Sequence, residues 1–496
     1  MNYFIGIDIG TGSTKAVAVN ISGEPIHSTQ CSYPTYSPEL TYSEQDPELI
    51  WKAFVQCILD LIANLKEKPL GVVLSSAMHS VIPVDEKGNQ LMNMITWADN
   101  RSADVAKALH GSTLGEKIYS ETGTPIHAMT PVCKIKWLAE KQPDLFTKTF
   151  KFISIKEFVW FKLFGVYEVD YSIASATGMF DIGKLAWNES ALKYCGVTPS
   201  QLSMAVETHH SRKDLVSNDF EDLKSENIPF FIGASDGCMA NLGSFAVTPG
   251  VAALTIGTSG AIRVANRKPT VNFRAMTFNY ILTKDIIISG GPINNGGVVL
   301  KWYIEIFLKK QLNSPGEFDA FLDEMKSIRP GADGLIFIPY LLGERAPIWD
   351  SDASGIFFGI RNFHTQAHFT RAVAEGISMA LYSIAASMET TGLSIDRVHV
   401  SGGFVQSEEW LQILADIFNK EICLINAEDA SAVGAAYLGF KSLGLIQDYS
   451  ALKPKQDASY TPNLENHAVY QKAFAIFENL YKKMKPEMDM LLALRE

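Results

Sequence analysis

The sequence lacks the features that several protein classes require. Its six cysteines include no CxxC pair, which argues against zinc-ribbon and dithiol motifs and predicts reduced thiols in a cytoplasmic protein. They are Cys31, Cys57, Cys133, Cys195, Cys238 and Cys423. The net charge is -11 and no basic block occurs, so neither nucleic acid nor an anionic membrane is expected as a partner. A small-molecule ligand fits this composition better.

Long hydrophobic runs are also absent. Every apolar stretch is broken by charge or glycine well before the about 20 residues that a membrane span needs. The N-terminus leads directly into a predicted strand, so a soluble, unexported protein is expected. The 496 residues, 47% of them hydrophobic, are too many for one core and predict two to four domains.

Two common phosphate-binding signatures are missing, because the chain has neither a Walker A sequence nor a GxGxxG that leads into a helix. Instead, an apolar run that ends in a turn of Gly, Thr and Ser occurs twice, at residues 4–15 and 254–260. A second apolar run follows each turn, which predicts two β-hairpins. The repeat indicates two related halves, and we place their boundary near residue 245, giving domains 1–245 and 246–496.

The two turns are candidate phosphate sites. Glycine lets a turn offer backbone N–H groups to an anion, hydroxyls add donors, and two facing turns would clamp a polyphosphate. The candidate contacts are Gly10, Thr11, Gly12, Ser13, Thr14, Lys15, Gly257, Thr258 and Ser259. The alternatives are that the turns merely connect strands and that Lys15 is solvated. Only the first copy has an acid in its strand, Asp8 against Thr255, which suits a Mg-nucleotide with the metal on one side.

Residues 230–237 predict a buried apolar strand that ends in small residues and one acid, Asp236. A carboxylate there is a helix N-cap, a metal ligand or a general base. Its position before the second hairpin favours catalysis, since phosphoryl transfer needs an acid to receive the hydroxyl proton and a metal to neutralise charge. Asp236 is therefore the candidate base, and Asp8 and Asp236 are the candidate metal ligands.

Two clusters suit a polyol, which needs hydrogen-bonding groups beside an apolar wall. The first is Met78-His79 and the second is Trp97, Asp99 and Arg101. The alternatives are a structural histidine and an Asp-Arg ion pair across a turn. Bare backbone for an adenosine is expected at Gly297 and at Gly402, Gly403 and Ser407, although Gly-Gly pairs can also be plain turns.

With these motifs in order along its whole length, the chain resembles the FGGY carbohydrate kinases of the actin, Hsp70 and hexokinase superfamily. The segment 355–375 is similar to the family's C-terminal signature. The resemblance implies an α/β fold of two ribonuclease-H-like domains with a deep interdomain cleft. It also implies Asp236 as base, Asp8 near magnesium, ATP on the glycine-rich turns and sugar near His79, Asp99 and Arg101.

Within the family, residues 76–80, 95–102 and 122–127 are most similar to gluconate kinases. This implies ATP-dependent phosphorylation of the terminal hydroxyl of D-gluconate, with Arg101 and then Lys156 as candidate cations for its carboxylate. A kinase for xylulose or another pentulose or polyol is the alternative, and an actin-like or Hsp70-like ATPase without a small acceptor is the alternative from another class. The expected partner is a sugar acid or sugar, and a homodimer stays open.

Overall fold

The computed structural model describes residues 2–312, 314–425, 427–452, 456–492 and 494. The chain divides into two compact units. Unit 1 contains Met1–Thr248, Ala265–Ser289 and Ala427–Lys453, and unit 2 contains Pro249–Val264, Gly290–Asn426 and Pro454–Glu496. The first change of unit, after Thr248, lies near the boundary predicted at residue 245. Unit 1 also contains two later segments of the chain, which a division at one boundary does not describe.

The elements alternate between strands and helices along most of the chain. The strands are β1 (Tyr3–Ile9), β2 (Ser13–Asn20), β3 (Pro25–Ser32), β4 (Glu44–Gln45), β5 (Val72–Ser76), β6 (Ile82–Val84), β7 (Met94–Ile95), β8 (Lys151–Ile153), β9 (Glu168–Asp170), β10 (Phe180–Asp181), β11 (Ala186–Trp187), β12 (Met204–Val206), β13 (Ser211–Arg212), β14 (Phe230–Ser235), β15 (Val251–Ile256), β16 (Gly260–Asn266), β17 (Phe278–Thr283), β18 (Ile286–Ile293), β19 (Ile336–Ile338), β20 (Ile356–Phe358), β21 (Arg397–Gly402), β22 (Glu421–Ile425) and β23 (Gln456–Tyr460). The α-helices are α1 (Pro47–Leu65), α2 (Ala103–His110), α3 (Thr113–Thr122), α4 (Pro131–Lys141), α5 (Pro143–Lys148), α6 (Ile155–Phe164), α7 (Tyr171–Ser175), α8 (Glu189–Cys195), α9 (Glu221–Ser225), α10 (Asp236–Gly243), α11 (Gly297–Trp302), α12 (Pro315–Asp323), α13 (Gln366–Glu389), α14 (Glu408–Phe418), α15 (Ala430–Ser442) and α16 (Leu464–Leu492).

Unit 1 is built on a sheet with the strand order β13-β14-β5-β1-β2-β3. The strands β1, β2 and β3 are antiparallel neighbours, whereas β5 runs parallel to β1 and β14 runs parallel to β5. The carboxyl ends of β1, β5 and β14 therefore meet at one edge of the sheet. Ligand sites of α/β sheets form at such edges.

Helices cover both faces of this sheet because strand residues alternate between the two faces. Ile5, Ile7 and Ile9 of β1 pack in one core cluster with residues of α1 and α6. Phe4 packs on the other face with α10 and α15. On that second face Gly6 lies so close to α15 that a Cβ atom there would be 1.8 Å from the carbonyl oxygen of Ala432. Glycine at position 6 thus sets the distance between the helix and the sheet.

Unit 2 repeats the arrangement of the first sheet. The strands β16, β15, β21, β22 and β23 are neighbours in that order. The pair β15 and β16 is antiparallel, and β21 and β22 continue the sheet in parallel with β15. Its core contains much of α13, including Val373, Ile377 and Leu381. The two hairpins predicted from the repeat, β1–β2 and β15–β16, are both confirmed.

The helical periodicity of apolar residues predicts one helix over residues 369–388 and another over residues 51–65. The structure has α13 and α1 at these positions, with shifts at their ends, and α1 begins at Pro47. The earlier start of α1 follows from Asp46, whose side chain accepts a hydrogen bond from the Glu48 N–H and caps the helix. In the part of the chain that the structure describes, none of the helices has the length and apolar character needed to span a bilayer.

Candidate active site

The edge where β1, β5 and β14 end brings polar side chains together. Asp8 lies opposite Ser75 in the register, and the Ser75 hydroxyl donates to Asp8 Oδ1 at 2.9 Å. Asp236 follows β14 as the first residue of α10. The N-cap of α10 is Ser235, whose hydroxyl accepts from the Cys238 N–H at 3.4 Å, so the capping alternative for Asp236 is wrong. The Asp236 carboxylate is half-buried and accepts from the Gly237 N–H at 2.7 Å.

The carboxylates at this edge form a negative site that suits a hard cation. Burial, and then the charges of Asp236 and Asp429, raise the pKa of Asp8 to about 7, against the opposing effects of the Ser75 hydrogen bond and the Lys156 charge. Among residues 2–312, 314–425, 427–452, 456–492 and 494 no three His, Cys, Asp or Glu side chains are arranged as a metal cage. Magnesium is usually held by one or two carboxylates together with substrate phosphates, so Asp8 and Asp236 fit it as a donor set.

Hydrogen bonds to the backbone support the first predicted phosphate turn. The Gly10 N–H donates to the Ser13 carbonyl at 3.0 Å, and the Tyr33 hydroxyl donates to the Gly10 carbonyl at 2.6 Å. Gly12 is exposed, and a Cβ there would meet nothing within 4 Å. Thr14 is fully buried, and its hydroxyl donates to Tyr33 at 3.4 Å. The side chain of Thr14 is thus part of the packing, and residues 10–13 form the accessible part of the turn.

Lys15 is neither free nor simply solvated. Its ammonium donates to Asp429 Oδ1 at 2.5 Å, and the side chains are 31% and 26% exposed. Asp8 and Lys15 line a cavity of about 110 Å³ with the first residues of α15, including Ser431. Asp429 and Ser431 were not predicted as site residues, because their only local signal is that they are polar residues at the start of a helix rich in Ala and Gly.

Trp97 joins the polyol cluster to the phosphate turn. Its indole N–H donates to the Thr11 hydroxyl at 2.8 Å. The amide of the buried Gln45 also donates to the Thr11 carbonyl. These residues line a small cavity with Gly10 and Met78, so the structure brings four predicted site residues (Gly10, Thr11, Met78 and Trp97) to one place.

Asp99 and Arg101 form an ion pair, which is the structural alternative for this cluster. Asp99 is fully buried and accepts from Arg101 Nε and from an Arg101 guanidinium nitrogen, both at 2.8 Å. Glu44 accepts from the same guanidinium nitrogen at 2.6 Å, and the guanidinium lies 3.7 Å from the centre of the Tyr42 ring. The Arg101 side chain is 2% exposed. A substrate carboxylate could reach it only by opening this pairing.

His79 uses both ring nitrogens within the protein. Nδ1 lies 2.8 Å from the Ala176 carbonyl, and Nε2 lies 3.2 Å from the Tyr280 hydroxyl. The residue is 7% exposed and has a φ of 67°, in the left-handed region that few non-glycine residues adopt. Such a conformation is kept only where surrounding contacts hold it. These ring contacts agree with the alternative that His79 is a structural histidine. A contact between His79 and the sugar stays a prediction.

Lys156, the second candidate cation, is also paired. Its buried ammonium donates to Asp170 Oδ2 at 2.8 Å and to the Ala234 carbonyl at 2.7 Å. Burial lowers the pKa of Lys156, and the Asp170 carboxylate opposes that effect. Since Ala234 precedes Asp236 by two residues, Lys156 anchors the strand end that carries the candidate base.

Replacing Lys156 by methionine should destabilise unit 1 strongly. The change leaves Asp170 as an unpaired buried carboxylate, which costs about 3–5 kcal/mol. The matched control is Lys162→Met on the same helix, because Lys162 pairs with Glu48 at 2.6 Å on the surface and its loss should cost at most about 1 kcal/mol. Urea unfolding of both variants measures the difference. Equal losses would contradict the assigned role of the buried pair.

Unit 2 contains a cavity of about 540 Å³ built on the second predicted turn. Gly257, Thr258, Gly297 and Gly403 line it together with Phe404 and Trp410. The Gly297 N–H donates to the Gly257 carbonyl at 2.7 Å, and a Cβ on Gly297 would be 2.6 Å from that oxygen. The glycine is therefore required for the start of α11 to approach the turn. An apolar cavity with exposed backbone suits a purine base.

The remaining predicted residues of this unit have structural contacts. Gly402 has a φ of 118° and approaches Ile256, where a Cβ would be 2.4 Å from the carbonyl oxygen. Ser407 is the N-cap of α14 and accepts from the Trp410 N–H at 3.3 Å. Ser259 lies at the end of its turn, outside the residues that line the cavity. Glu344, which was not predicted from the sequence, accepts from Asn295 Nδ2 at 2.9 Å and supports the segment before α11.

Comparisons with known proteins identify the family of the chain. Residues 3–243 match the N-terminal domain of the FGGY family of carbohydrate kinases, and residues 252–443 match its C-terminal domain. A gluconokinase of Bacillus licheniformis is 39% identical over 503 residues, covering 99% of this chain and 98% of the relative. A xylulose kinase of Bacillus subtilis is 28% identical over 506 residues, covering 100% of both chains.

Solved structures show the same fold. A gluconate kinase from Lactobacillus acidophilus has a TM-score of 0.93 at 32% identity and covers 97% of this chain and 98% of its own. A ligand-bound xylulose kinase from the same species has a TM-score of 0.94 at 32% identity, with 99% and 100% covered. The fold is thus the two-domain α/β fold of the actin and hexokinase superfamily. The chain belongs to the FGGY family of carbohydrate kinases, phosphotransferases that act on an alcohol group of a small carbohydrate.

Proposed function

We propose that this kinase transfers the γ-phosphoryl group of ATP to the terminal hydroxyl of D-gluconate, giving 6-phospho-D-gluconate. The observation that supports gluconate is the full-length identity of 39% with a gluconokinase, against 28% with a xylulose kinase. Residues 76–80 and 95–102, which form the candidate sugar site, are among the stretches most similar to gluconate kinases.

Asp236 is proposed as the general base. It is half-buried at a strand end, so a substrate hydroxyl can reach it while its backbone stays fixed. Lys156 holds the Ala234 carbonyl at 2.7 Å, and the Ser172 hydroxyl accepts from the Ser235 N–H at 3.1 Å. A carboxylate held in this way can take the proton of the acceptor hydroxyl as the new O–P bond forms.

The nucleotide contacts are assigned to each unit separately. In unit 1, Gly10, Thr11, Gly12 and Ser13 offer turn donors to phosphate oxygens, and Asp8 and Asp236 would hold Mg²⁺. Bound magnesium would neutralise charge on the phosphates. In unit 2, the cavity of about 540 Å³ would take the adenosine. The Lys15–Asp429 pair lies beside the first turn, where Lys15 can exchange a carboxylate for a phosphate oxygen.

The acceptor is assigned to the segments around Met78, His79 and Trp97. Trp97 offers an apolar face to the C–H groups of the sugar, while its indole N–H stays on Thr11. The candidate cations Arg101 and Lys156 are both bonded to carboxylates. We therefore propose that Arg101 stabilises the site through its bonds to Asp99 and Glu44 and does not contact the substrate. To bind a substrate carboxylate directly, Arg101 would have to break its bond to Glu44.

The pairing of both cations favours a second candidate, phosphorylation of a neutral sugar such as xylulose. A neutral acceptor needs no charged partner when it leaves water, and the similarity to the Lactobacillus acidophilus xylulose kinase is as high as to the gluconate kinase, at 32% identity. The two candidates share the base and the nucleotide site. They differ in the acceptor alone.

A coupled assay of ADP release against gluconate, xylulose, ribulose and glycerol tests the proposal. We expect kcat/KM for gluconate to exceed each of the others at least about tenfold, which corresponds to about 1.4 kcal/mol of transition-state discrimination. The position of the phosphate is checked by ³¹P and ¹H NMR of the product. Turnover with gluconate no greater than with the other acceptors would contradict the gluconate assignment. ATP consumption unaffected by every acceptor would favour an ATPase without a small substrate.

A further inference from the structure

Lys134 is a fully buried lysine in α4, 0% exposed. Its ammonium donates to two backbone carbonyls, those of His79 at 2.7 Å and Thr96 at 2.6 Å. The carboxylate whose charge acts on it, Asp99, already accepts two side-chain hydrogen bonds from Arg101. The hydrogen-bond acceptors of the Lys134 ammonium are thus main-chain carbonyl oxygens.

Such an arrangement is costly for stability alone. A buried ammonium loses its hydration, and burial lowers the pKa of Lys134 to about 7. The two hydrogen bonds to buried carbonyls offset this loss, because a buried acceptor without a donor is itself costly. An apolar side chain would fill the space but would not hold these carbonyls, so Lys134 does more than pack.

The two carbonyls belong to the two segments that are assigned to the sugar. Val81 and Ile95 join these segments by a bridge of two hydrogen bonds, at 3.0 and 2.9 Å. Lys134 adds a second link between them at His79 and Thr96. His79 has the left-handed φ of 67°, and Thr96 directly precedes Trp97. One ammonium therefore fixes the backbone beneath both the imidazole and the indole.

We propose that Lys134 is a positioning residue for the sugar acceptor, which aligns the His79 and Trp97 segments without touching substrate. The inference rests on the proposed function in one respect, that the acceptor binds at these two segments. It holds for whichever carbohydrate is phosphorylated. A failure of the gluconate assignment would be seen in the wild-type enzyme and would leave this inference intact.

The test compares Lys134→Met with Lys136→Met, a control on the same helix whose lysine pairs with Glu140 at 3.1 Å near the surface. The acceptor is the one that the wild-type enzyme uses best. We expect the KM for that acceptor to rise at least tenfold in Lys134→Met, the KM for ATP to stay within twofold, and Lys136→Met to match the wild type. Lys134→Arg, which keeps the charge and the donors, should recover part of the loss.

An acceptor KM within twofold of the wild type in folded Lys134→Met would overturn the inference, as would equal rises of both KM values. If that variant does not fold, Lys134→Gln, which keeps one donor group, takes its place with the same criteria. Hydrogen exchange on the wild-type enzyme gives a readout without any variant. We expect the N–H groups of Val81, Ile95 and Thr96, which donate to backbone carbonyls, to be protected before acceptor is added. Exchange there at the rate of an unstructured peptide would contradict the proposed alignment.

Discussion

Asp236→Asn is expected to lower kcat about 10²–10⁴-fold while ATP still binds. Asparagine has the size of aspartate but cannot take a proton from the acceptor hydroxyl. The helix that follows should be kept, because its cap is Ser235 and the Ser235 side chain is unchanged. The measurements are steady-state turnover with the best acceptor and ATP affinity by calorimetry.

The control for this variant is Asp222→Asn, which removes an aspartate whose side chain is 92% exposed in the same unit. Its turnover should equal that of the wild type. Asp236→Asn with more than a tenth of wild-type turnover would remove Asp236 as the base. Loss of ATP binding together with turnover would instead indicate that its main contribution is to the metal and nucleotide.

Gly6→Ala is expected to produce a large loss of stability from a single added methyl group. The new Cβ would lie 1.8 Å from the Ala432 carbonyl oxygen and 2.8 Å from the carbonyl carbon. These are backbone atoms of α15, so no side chain can rotate away, and the helix must move off the sheet. Overpacking of this kind costs about 1–3 kcal/mol or more, and a backbone clash belongs at or above the upper end.

Urea unfolding of Gly6→Ala should show this loss as a lower midpoint with the same slope. The control is Gly316→Ala in α12, where a Cβ would meet nothing within 4 Å and alanine is the better helix former. We expect that control to be as stable as the wild type or slightly more stable. A Gly6→Ala protein with the wild-type midpoint would show that α15 does not pack on β1 at this distance.

The sequence predicted the elements well because their signals are local. The hairpin at residues 4–15 follows from alternating apolar residues and its turn glycines, and β14 follows from an uninterrupted apolar run. The early start of α1 was missed although Asp46 and Pro47 form a local N-terminal signal. The existence of an element was therefore predicted more reliably than the residue at which it begins.

The contacts of the candidate site could not be predicted in the same way, because their partners are far apart in the chain. Asp99 and Arg101 are two residues apart, and their pairing was an open alternative, but the third member, Glu44, is separated from Arg101 by 57 positions. Lys15 and Asp429 are separated by 414 positions. Lys134 reaches carbonyls at sequence separations of 55 and 38, and a backbone acceptor leaves no mark on a sequence.

The hydrogen bond from the Trp97 indole to the Thr11 hydroxyl, at 2.8 Å, has a thermodynamic consequence. A ligand that reorients the Thr11 hydroxyl changes the strength of this hydrogen bond and therefore the preferred orientation of the Trp97 indole. A ligand that moves the indole changes the orientation of the hydroxyl in the same way. Linkage makes this influence reciprocal. The factor by which saturating carbohydrate changes the dissociation constant of the nucleotide must equal the factor by which nucleotide changes that of the carbohydrate, and tryptophan emission provides a direct optical signal of both.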